Sequence, residues 1–187
     1  MTLEEHYRLS FYQPVAELGD REHVKLTRHA ESGIYYVRKD LTDYNREVYE
    51  QLNVLGSPYF PHIYEVIQDE EKLIIIEEYI PGETLEAYVA KQGSLTLEQV
   101  KPIMLDVCQA LQILHAQNPP IIHRDIKPSN LIRAEDGHWK LILIPHVIMN
   151  VVHSVIRHFW EQENLQHRSS LGIFRQMCGP IFMNWVR

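Results

Sequence analysis

The sequence has few of the residues that hold small exported or nucleic-acid-binding domains together. Only two of its 187 residues are cysteines, Cys108 and Cys178, and they have no metal-ligand spacing. This excludes a disulfide framework or a zinc module and suits a reducing compartment. Positive charge is also scarce, because 18 lysines and arginines stand against 25 aspartates and glutamates, for a net charge of −7. We therefore expect no nucleic-acid partner.

The N-terminus begins Met-Thr-Leu-Glu-Glu-His and lacks an apolar signal core. This argues against export and favours a cytoplasmic location. Hydrophobic residues make up 45% of the chain and charged residues 23%, which is ordinary for a soluble globular protein. The length allows one domain or two small lobes.

Residues 143–187 differ in composition from the rest of the chain. They hold two acidic residues, Glu161 and Glu163, and four arginines, whereas residues 1–142 hold 23 acidic and 14 basic residues. The tail contains no aspartate, lysine or tyrosine. Such a shift indicates either a different domain or a stretch that was not selected as protein.

Apolar periodicity and turn residues predict an alternation of short strands and helices. The predicted elements are three strands between Tyr12 and Lys39, a helix over 43–55 capped by Asp43, and strands over 63–66 and 73–76. They continue with a helix that begins at Ser94 or Thr96 and ends near His115, and a hairpin over 131–143.

Residues 123–130 read His-Arg-Asp-Ile-Lys-Pro-Ser-Asn. The octapeptide resembles the H-R-D-x-x-x-x-N catalytic loop of protein kinases, with the Lys-Pro of serine/threonine kinases. The resemblance implies that Asp125 accepts the proton of a substrate hydroxyl, that Lys127 steadies the transferring phosphoryl group, and that Asn130 binds a metal ion.

The order of the predicted elements extends this resemblance over about residues 10–142 and brings it closest to bacterial Ser/Thr kinases. It implies an α+β, protein-kinase-like fold, with a five-stranded N-lobe carrying one helix and a partial helical C-lobe. We divide the chain into an N-lobe at 1–80, a partial C-lobe at 81–142, and an aberrant tail at 143–187.

The resemblance also assigns residues to ATP. Lys39 ends a stretch that matches the V-A-I-K strand, so its ammonium would pair with the α- and β-phosphates. A solvated lysine is the alternative, since Arg38 beside it is equally cationic. The partner glutamate would lie on the next helix, where Glu47 fits slightly better than Glu50, although either could be an exposed helix charge.

The backbone of Glu78 and Ile80 would bind adenine, because Glu78-Tyr79-Ile80 is similar to the kinase hinge. Glu77 then precedes the hinge at the gatekeeper position, where a buried carboxylate needs a partner. Val24 would complete the glycine-rich loop G-x-G-x-x-G-x-V. That loop keeps only Gly19 here, which leaves too few glycines for close backbone approach to phosphate.

A second departure follows Ile142. The family continues with Asp-Phe-Gly, whose aspartate chelates magnesium, whereas this chain continues Leu143-Ile144-Pro145 and has no acid before Glu161. The metal is then left with Asn130 alone.

Shifting the reading frame of residues 166–187 permits Ala-Pro-Glu-Gln-Leu-Gly and then Val-Arg-Ser-Asp-Ile-Tyr-Glu-Leu-Gly. Both resemble kinase segments in their usual order. We therefore interpret the chain as truncated or frame-shifted near Ile142. A membrane segment at 141–156 is the rival interpretation, but that stretch is too short and too polar.

The resemblance thus implies a serine/threonine protein kinase that uses ATP and Mg²⁺ on protein substrates. The 187-residue chain itself is expected to be inactive. The alternative is a pseudokinase-like module that binds nucleotide or protein without catalysis.

Overall fold

The computed structural model describes residues 1–18 and 23–143, and the backbone of 148–149. Its main feature is a five-stranded antiparallel sheet with the strand order β1-β2-β3-β5-β4. The strands are β1 (Tyr12–Glu17), β2 (Val24–His29), β3 (Tyr35–Leu41), β4 (Ile63–Asp69) and β5 (Lys72–Glu78). All five were predicted, and the fold class is confirmed as α+β and protein-kinase-like.

The burial pattern explains why these segments form strands. In β3 the buried positions alternate at Val37, Lys39 and Leu41, as expected for one face on a core. In β5 every residue from Leu73 to Glu77 is buried, because β5 is an inner strand with packed side chains on both faces. The two faces belong to two clusters: the larger joins the sheet to most of the helices, and the smaller joins it to Leu9 near the N-terminus.

Helix α2 (Arg46–Val54) begins later than predicted. Its N-cap is Asn45, whose side-chain oxygen accepts a hydrogen bond from the Glu47 N–H at 3.1 Å, so Asp43 as the cap was wrong. The helix buries Val48, Tyr49 and Leu52.

The longest helix is α4 (Leu97–His115), preceded by α1 (Leu3–Ser10) and α3 (Leu85–Gln92). Thr96 caps α4 in a capping box with Gln99, which decides between the two predicted caps. The helix buries Ile103, Val107, Ala110 and Leu114 in the larger core cluster.

Helices α1 and α3 were not predicted. Both carry threonine caps, Thr2 and Thr84, whose hydroxyls accept hydrogen bonds from backbone N–H groups in the first turn. Each is only eight residues long. Their short apolar patterns gave little periodicity to detect.

After α4 the chain forms short strands around a loop. They are β6 (Ile121–Ile122), β7 (Leu131–Arg133), β8 (Trp139–Leu141) and β9 (Ile148–Met149), with a 3₁₀ turn at Pro128–Asn130. Strands β7 and β8 form the predicted hairpin, with Leu131 opposite Leu141. The hairpin is held to the segment between α2 and β4 by the Leu141 N–H, which donates to the Tyr59 carbonyl at 2.8 Å.

No helix among the described residues is long and apolar enough to cross a membrane. The frame-shift interpretation and nearly all of the rival membrane segment lie outside the described residues. The division at residue 80 stays a prediction.

Candidate functional site

The loop between β6 and β7 brings together the three residues predicted to act in catalysis. The Asn130 side-chain amide donates to the Asp125 carbonyl at 2.7 Å and to the Asp125 Oδ2 at 3.1 Å. The Lys127 ammonium lies 2.9 Å from the same Oδ2. Asn130 is buried, whereas the side chains of Asp125 and Lys127 are 41% and 42% exposed. The loop therefore exposes the Asp125 carboxylate and the Lys127 ammonium to solvent, while the buried Asn130 amide holds Asp125 in place.

His123 fixes the start of this loop. Its ring is buried, with Nε2 2.8 Å from the Ile142 carbonyl, and its Nδ1 accepts a 3.3 Å hydrogen bond from the Asp125 N–H. Both contacts are satisfied by a neutral ring that carries its proton on Nε2. Burial lowers the pKa of His123, which favours that neutral form.

Arg124 takes a left-handed backbone conformation, with φ 59°, between His123 and Asp125. A non-glycine residue in this region is strained. The tight turn is closed by the Asp125 N–H, which donates to the His123 carbonyl at 2.8 Å. The strain thus falls at the point where the chain turns the Asp125 side chain outward.

Lys39 lies in the sheet and forms a buried ion pair. Its ammonium is 2.6 Å from Glu77 Oε1, and the two side chains are 4% and 5% exposed. The ammonium also donates to the Leu143 carbonyl at 2.8 Å. The alternative of a solvated Lys39 is therefore wrong. Glu77 is buried, as its gatekeeper position suggested, and it has the partner that a buried carboxylate needs.

The expected helix partners of Lys39 are not its partners in this structure. Glu47 is exposed on the solvent side of α2, and Glu50 pairs with Arg46 at 2.7 Å on the exposed surface. Helix α2 turns Val48 and Tyr49 towards the core instead. The helical period decides this, because Glu47 and Glu50 flank the buried pair and each is turned by about 100° from its buried neighbour.

The segment that follows β8 joins the loop to the sheet. The Ile142 carbonyl contacts His123, the Leu143 carbonyl accepts from Lys39, and the Ile142 N–H donates to the Asn130 carbonyl at 2.8 Å. Successive peptide groups therefore fix Lys39 and the loop relative to each other. Residue Leu143 itself is buried.

The predicted adenine-binding stretch follows directly from β5. The Glu78 N–H donates to the His62 carbonyl at 2.7 Å, and the Ile80 carbonyl accepts from the Gly82 N–H at 2.9 Å. Those two backbone groups are thus already engaged. The Glu78 carboxylate accepts two hydrogen bonds from the Lys140 ammonium, at 2.8 and 2.7 Å. This ion pair across the hinge was missed by the sequence reasoning.

Val24, the last residue of the predicted phosphate loop, lies directly opposite Lys39 on the neighbouring strand. It is half-buried. The strand register therefore brings Val24 to the site, while the loop residues 19–22 lie outside the described residues.

A magnesium site is not completed by the described residues. Asn130 uses its amide nitrogen on Asp125, whose carboxylate is also paired with Lys127. The position that the family fills with aspartate is Leu143, which offers no carboxylate. In the part of the chain that the structure describes, no group of three His, Cys, Asp or Glu side chains could hold a metal ion. Magnesium prefers carboxylate oxygens, so the donor set does not fit it.

Comparison with known proteins identifies the fold family. The protein kinase domain model matches residues 20–142, more than half of the chain. The chain therefore belongs to the protein kinase family.

The relatives are serine/threonine kinases. The chain is 32% identical to serine/threonine-protein kinase B of Synechocystis sp. over 124 residues, 66% of this chain and 21% of that protein. It is 36% identical to serine/threonine-protein kinase PknA of Nostoc sp. over 87 residues, 46% of this chain and 15% of that protein. It is 28% identical to serine/threonine-protein kinase cds1 of Schizosaccharomyces pombe over 148 residues, 71% of this chain and 32% of that protein. The chain thus spans less than two thirds of the length of these relatives, and the predicted family is confirmed.

Proposed function

We propose that the chain carries a serine/threonine protein-kinase domain that retains a nucleotide site and a catalytic loop, but that the 187-residue protein itself transfers no phosphoryl group. One observation carries the proposal. The Asp125, Lys127 and Asn130 side chains are assembled in one loop, and the peptide groups of residues 142 and 143 connect that loop to Lys39.

Each retained residue has a role in phosphoryl transfer. Asp125 orients a serine or threonine hydroxyl and accepts its proton, and Lys127 stabilises the negative charge of the transferring group. Lys39 supplies a cation for the α- and β-phosphates of ATP. The hinge backbone at Glu78 and Ile80 holds adenine through groups other than the Glu78 N–H and the Ile80 carbonyl, which already pair within the chain. Protein substrates and a cytoplasmic location remain part of the proposal.

Leu143 stands where the family has a magnesium-binding aspartate, and the absence of that carboxylate supports the proposed inactivity of the chain. Positioning and charge neutralisation supply most of the rate in phosphoryl transfer, so a site without the second metal ligand loses much of its transition-state stabilisation. When magnesium is bound in this family, it neutralises phosphate charge. Leu143 cannot hold it there.

The test is transfer of label from radiolabelled ATP to a generic Ser/Thr protein substrate, with magnesium or manganese present. We expect no transfer above background. Label transfer that disappears in the Asp125→Asn variant would identify the chain as a working enzyme and overturn the proposed inactivity.

A non-catalytic nucleotide-binding module is the second candidate, favoured by the buried position of Lys39 between Glu77 and Leu143. For such a module, ATP binding to the unmodified chain should be the same in EDTA and in magnesium. The Leu143→Asp variant should make ATP affinity magnesium-dependent, because it restores a carboxylate beside the phosphates. Calorimetric titration measures both. Magnesium dependence in the unmodified chain would contradict this candidate.

A further inference from the structure

Lys39 and Glu77 are held together by the sheet itself. Strands β3 and β5 are antiparallel, and their register places Lys39 opposite Ile75 and Val37 opposite Glu77. Glu77 is two residues beyond Ile75, so it lies diagonally across from Lys39 on the same face of the sheet. Long side chains reach across such a diagonal. Two inner strands therefore fix the backbone on both sides of the ion pair.

Helix α2 contributes no carboxylate to this pair. Its exposed face carries Glu47 and Glu50, and its buried face carries Tyr49, whose side chain is 1% exposed. Among the described residues, the Tyr49 hydroxyl has no hydrogen-bond partner. Burial raises the pKa of Tyr49, and the negative charge of Glu77 raises it further, so this phenol stays protonated and neutral. The helix thus presents a neutral group where a charged partner was expected.

We propose that Glu77, from within the sheet, is the residue that positions Lys39 for nucleotide phosphate, and that this positioning does not depend on a glutamate of α2. The inference rests on the proposed nucleotide site. The Lys39 ammonium has three N–H donors. Two are used by Glu77 and the Leu143 carbonyl, which orients the third and limits the freedom of a long, flexible side chain.

If Glu77 positions Lys39, replacing Glu77 should weaken the binding of ligands that carry phosphates and of no others. The Glu77→Gln variant removes the charged acceptor but keeps the shape of the side chain. Affinities for ATP, ADP and adenosine are measured by calorimetric titration of the 187-residue protein in EDTA. We expect the variant to weaken ATP and ADP binding by about tenfold, the size of one charge-assisted contact, and to leave adenosine binding unchanged.

Three other glutamates complete the comparison. Glu65→Gln is the matched control, because Glu65 is also an ion-paired sheet carboxylate but contacts Arg8, at 3.0 Å. It should change no affinity. Glu47→Gln and Glu50→Gln test the rival arrangement, in which a helix carboxylate orients Lys39. Phosphate-specific weakening by either of these, or unchanged or stronger ATP binding in Glu77→Gln, would overturn the proposal.

A Glu77→Gln protein that fails to fold would lose adenosine binding as well. The Glu77→Asp variant covers that case, since it keeps the charge and shortens the side chain by one methylene. A smaller loss restricted to ATP and ADP supports the proposal. An aspartate variant that binds all three molecules as the unmodified protein does overturns it.

Acetylation of Lys39, followed by mass spectrometry without nucleotide, separates this inference from the proposed function. The buried pair protects Lys39, so the Glu77 variants should be acetylated severalfold faster at this residue, while the Glu47 and Glu50 variants react as the unmodified protein does. If the unmodified protein binds no ATP, the proposed function fails and the acetylation rates alone decide the positioning by Glu77. Unchanged rates in the Glu77 variants overturn it.

Discussion

Removing the carboxylate of Glu78 should destabilise the protein more than removing the ammonium of its partner, Lys140. The two side chains form one ion pair, in which both carboxylate oxygens accept from the Lys140 ammonium. They differ in burial, because the Glu78 side chain is 31% exposed and the Lys140 side chain only 10%. The Glu78 carboxylate also accepts from the His62 backbone N–H at 3.1 Å.

The size of each effect follows from the group that is left behind. In Glu78→Gln, the ammonium stays buried without a counter-charge, and breaking a fully buried pair costs about 3–5 kcal/mol. Partial exposure of Glu78 reduces this to about 2–3 kcal/mol. In Lys140→Met, the carboxylate keeps water and the His62 N–H, so we expect a loss of about 1 kcal/mol. Replacing both residues should cost less than Glu78→Gln alone, because no buried charge remains.

Urea unfolding at pH 7, followed by circular dichroism, gives the three free energies of unfolding. Arg46→Met is a matched control, because Arg46 and Glu50 form an exposed pair with side chains 52% and 51% exposed. Its cost should stay below about 0.5 kcal/mol. A Lys140→Met variant that is less stable than Glu78→Gln would refute the reasoning from burial.

Three further results are expected from measurements of unfolding. Asn130→Ala should lower the free energy of unfolding by about 2 kcal/mol even in EDTA, since the amide holds the carbonyl and carboxylate of Asp125; no change would leave the amide without a structural role. Leu114→Ala should cost about 2–5 kcal/mol, because Leu114 is fully buried, and a thermal melt like that of the unmodified chain would contradict this. Burial lowers the pKa of His123, so stability should be full above about pH 6.5 and fall as the pH drops towards the folded-state pKa. Burial also lowers the pKa of His115, so the His115→Gln variant serves as a control. If the stability of that variant does not change with pH, His123 is not the cause of the pH dependence.

The sequence by itself determined the elements that rest on local pattern. Apolar strand patterns and turn residues placed all five sheet strands, and the candidate caps Ser94 and Thr96 placed the start of α4 to within a few residues. The H-R-D-x-x-x-x-N spacing brought together Asp125, Lys127 and Asn130, because all three lie within one short loop. The departure from the family's Asp-Phe-Gly at Leu143 could also be read from the sequence, since it is a change of residue type.

Only the tertiary structure decided which charges meet. Glu47 and Glu50 were reasonable partners for Lys39 by order along the chain, but the rotation of α2 about its axis turns them to solvent. Glu77 and Lys140 pair with residues 38 and 62 positions away in sequence, and those contacts depend on strand register and on how the β8 hairpin meets the sheet. Local propensity fixes where a strand lies along the chain, whereas a one-residue change of register or a small rotation of a helix exchanges its buried and exposed faces.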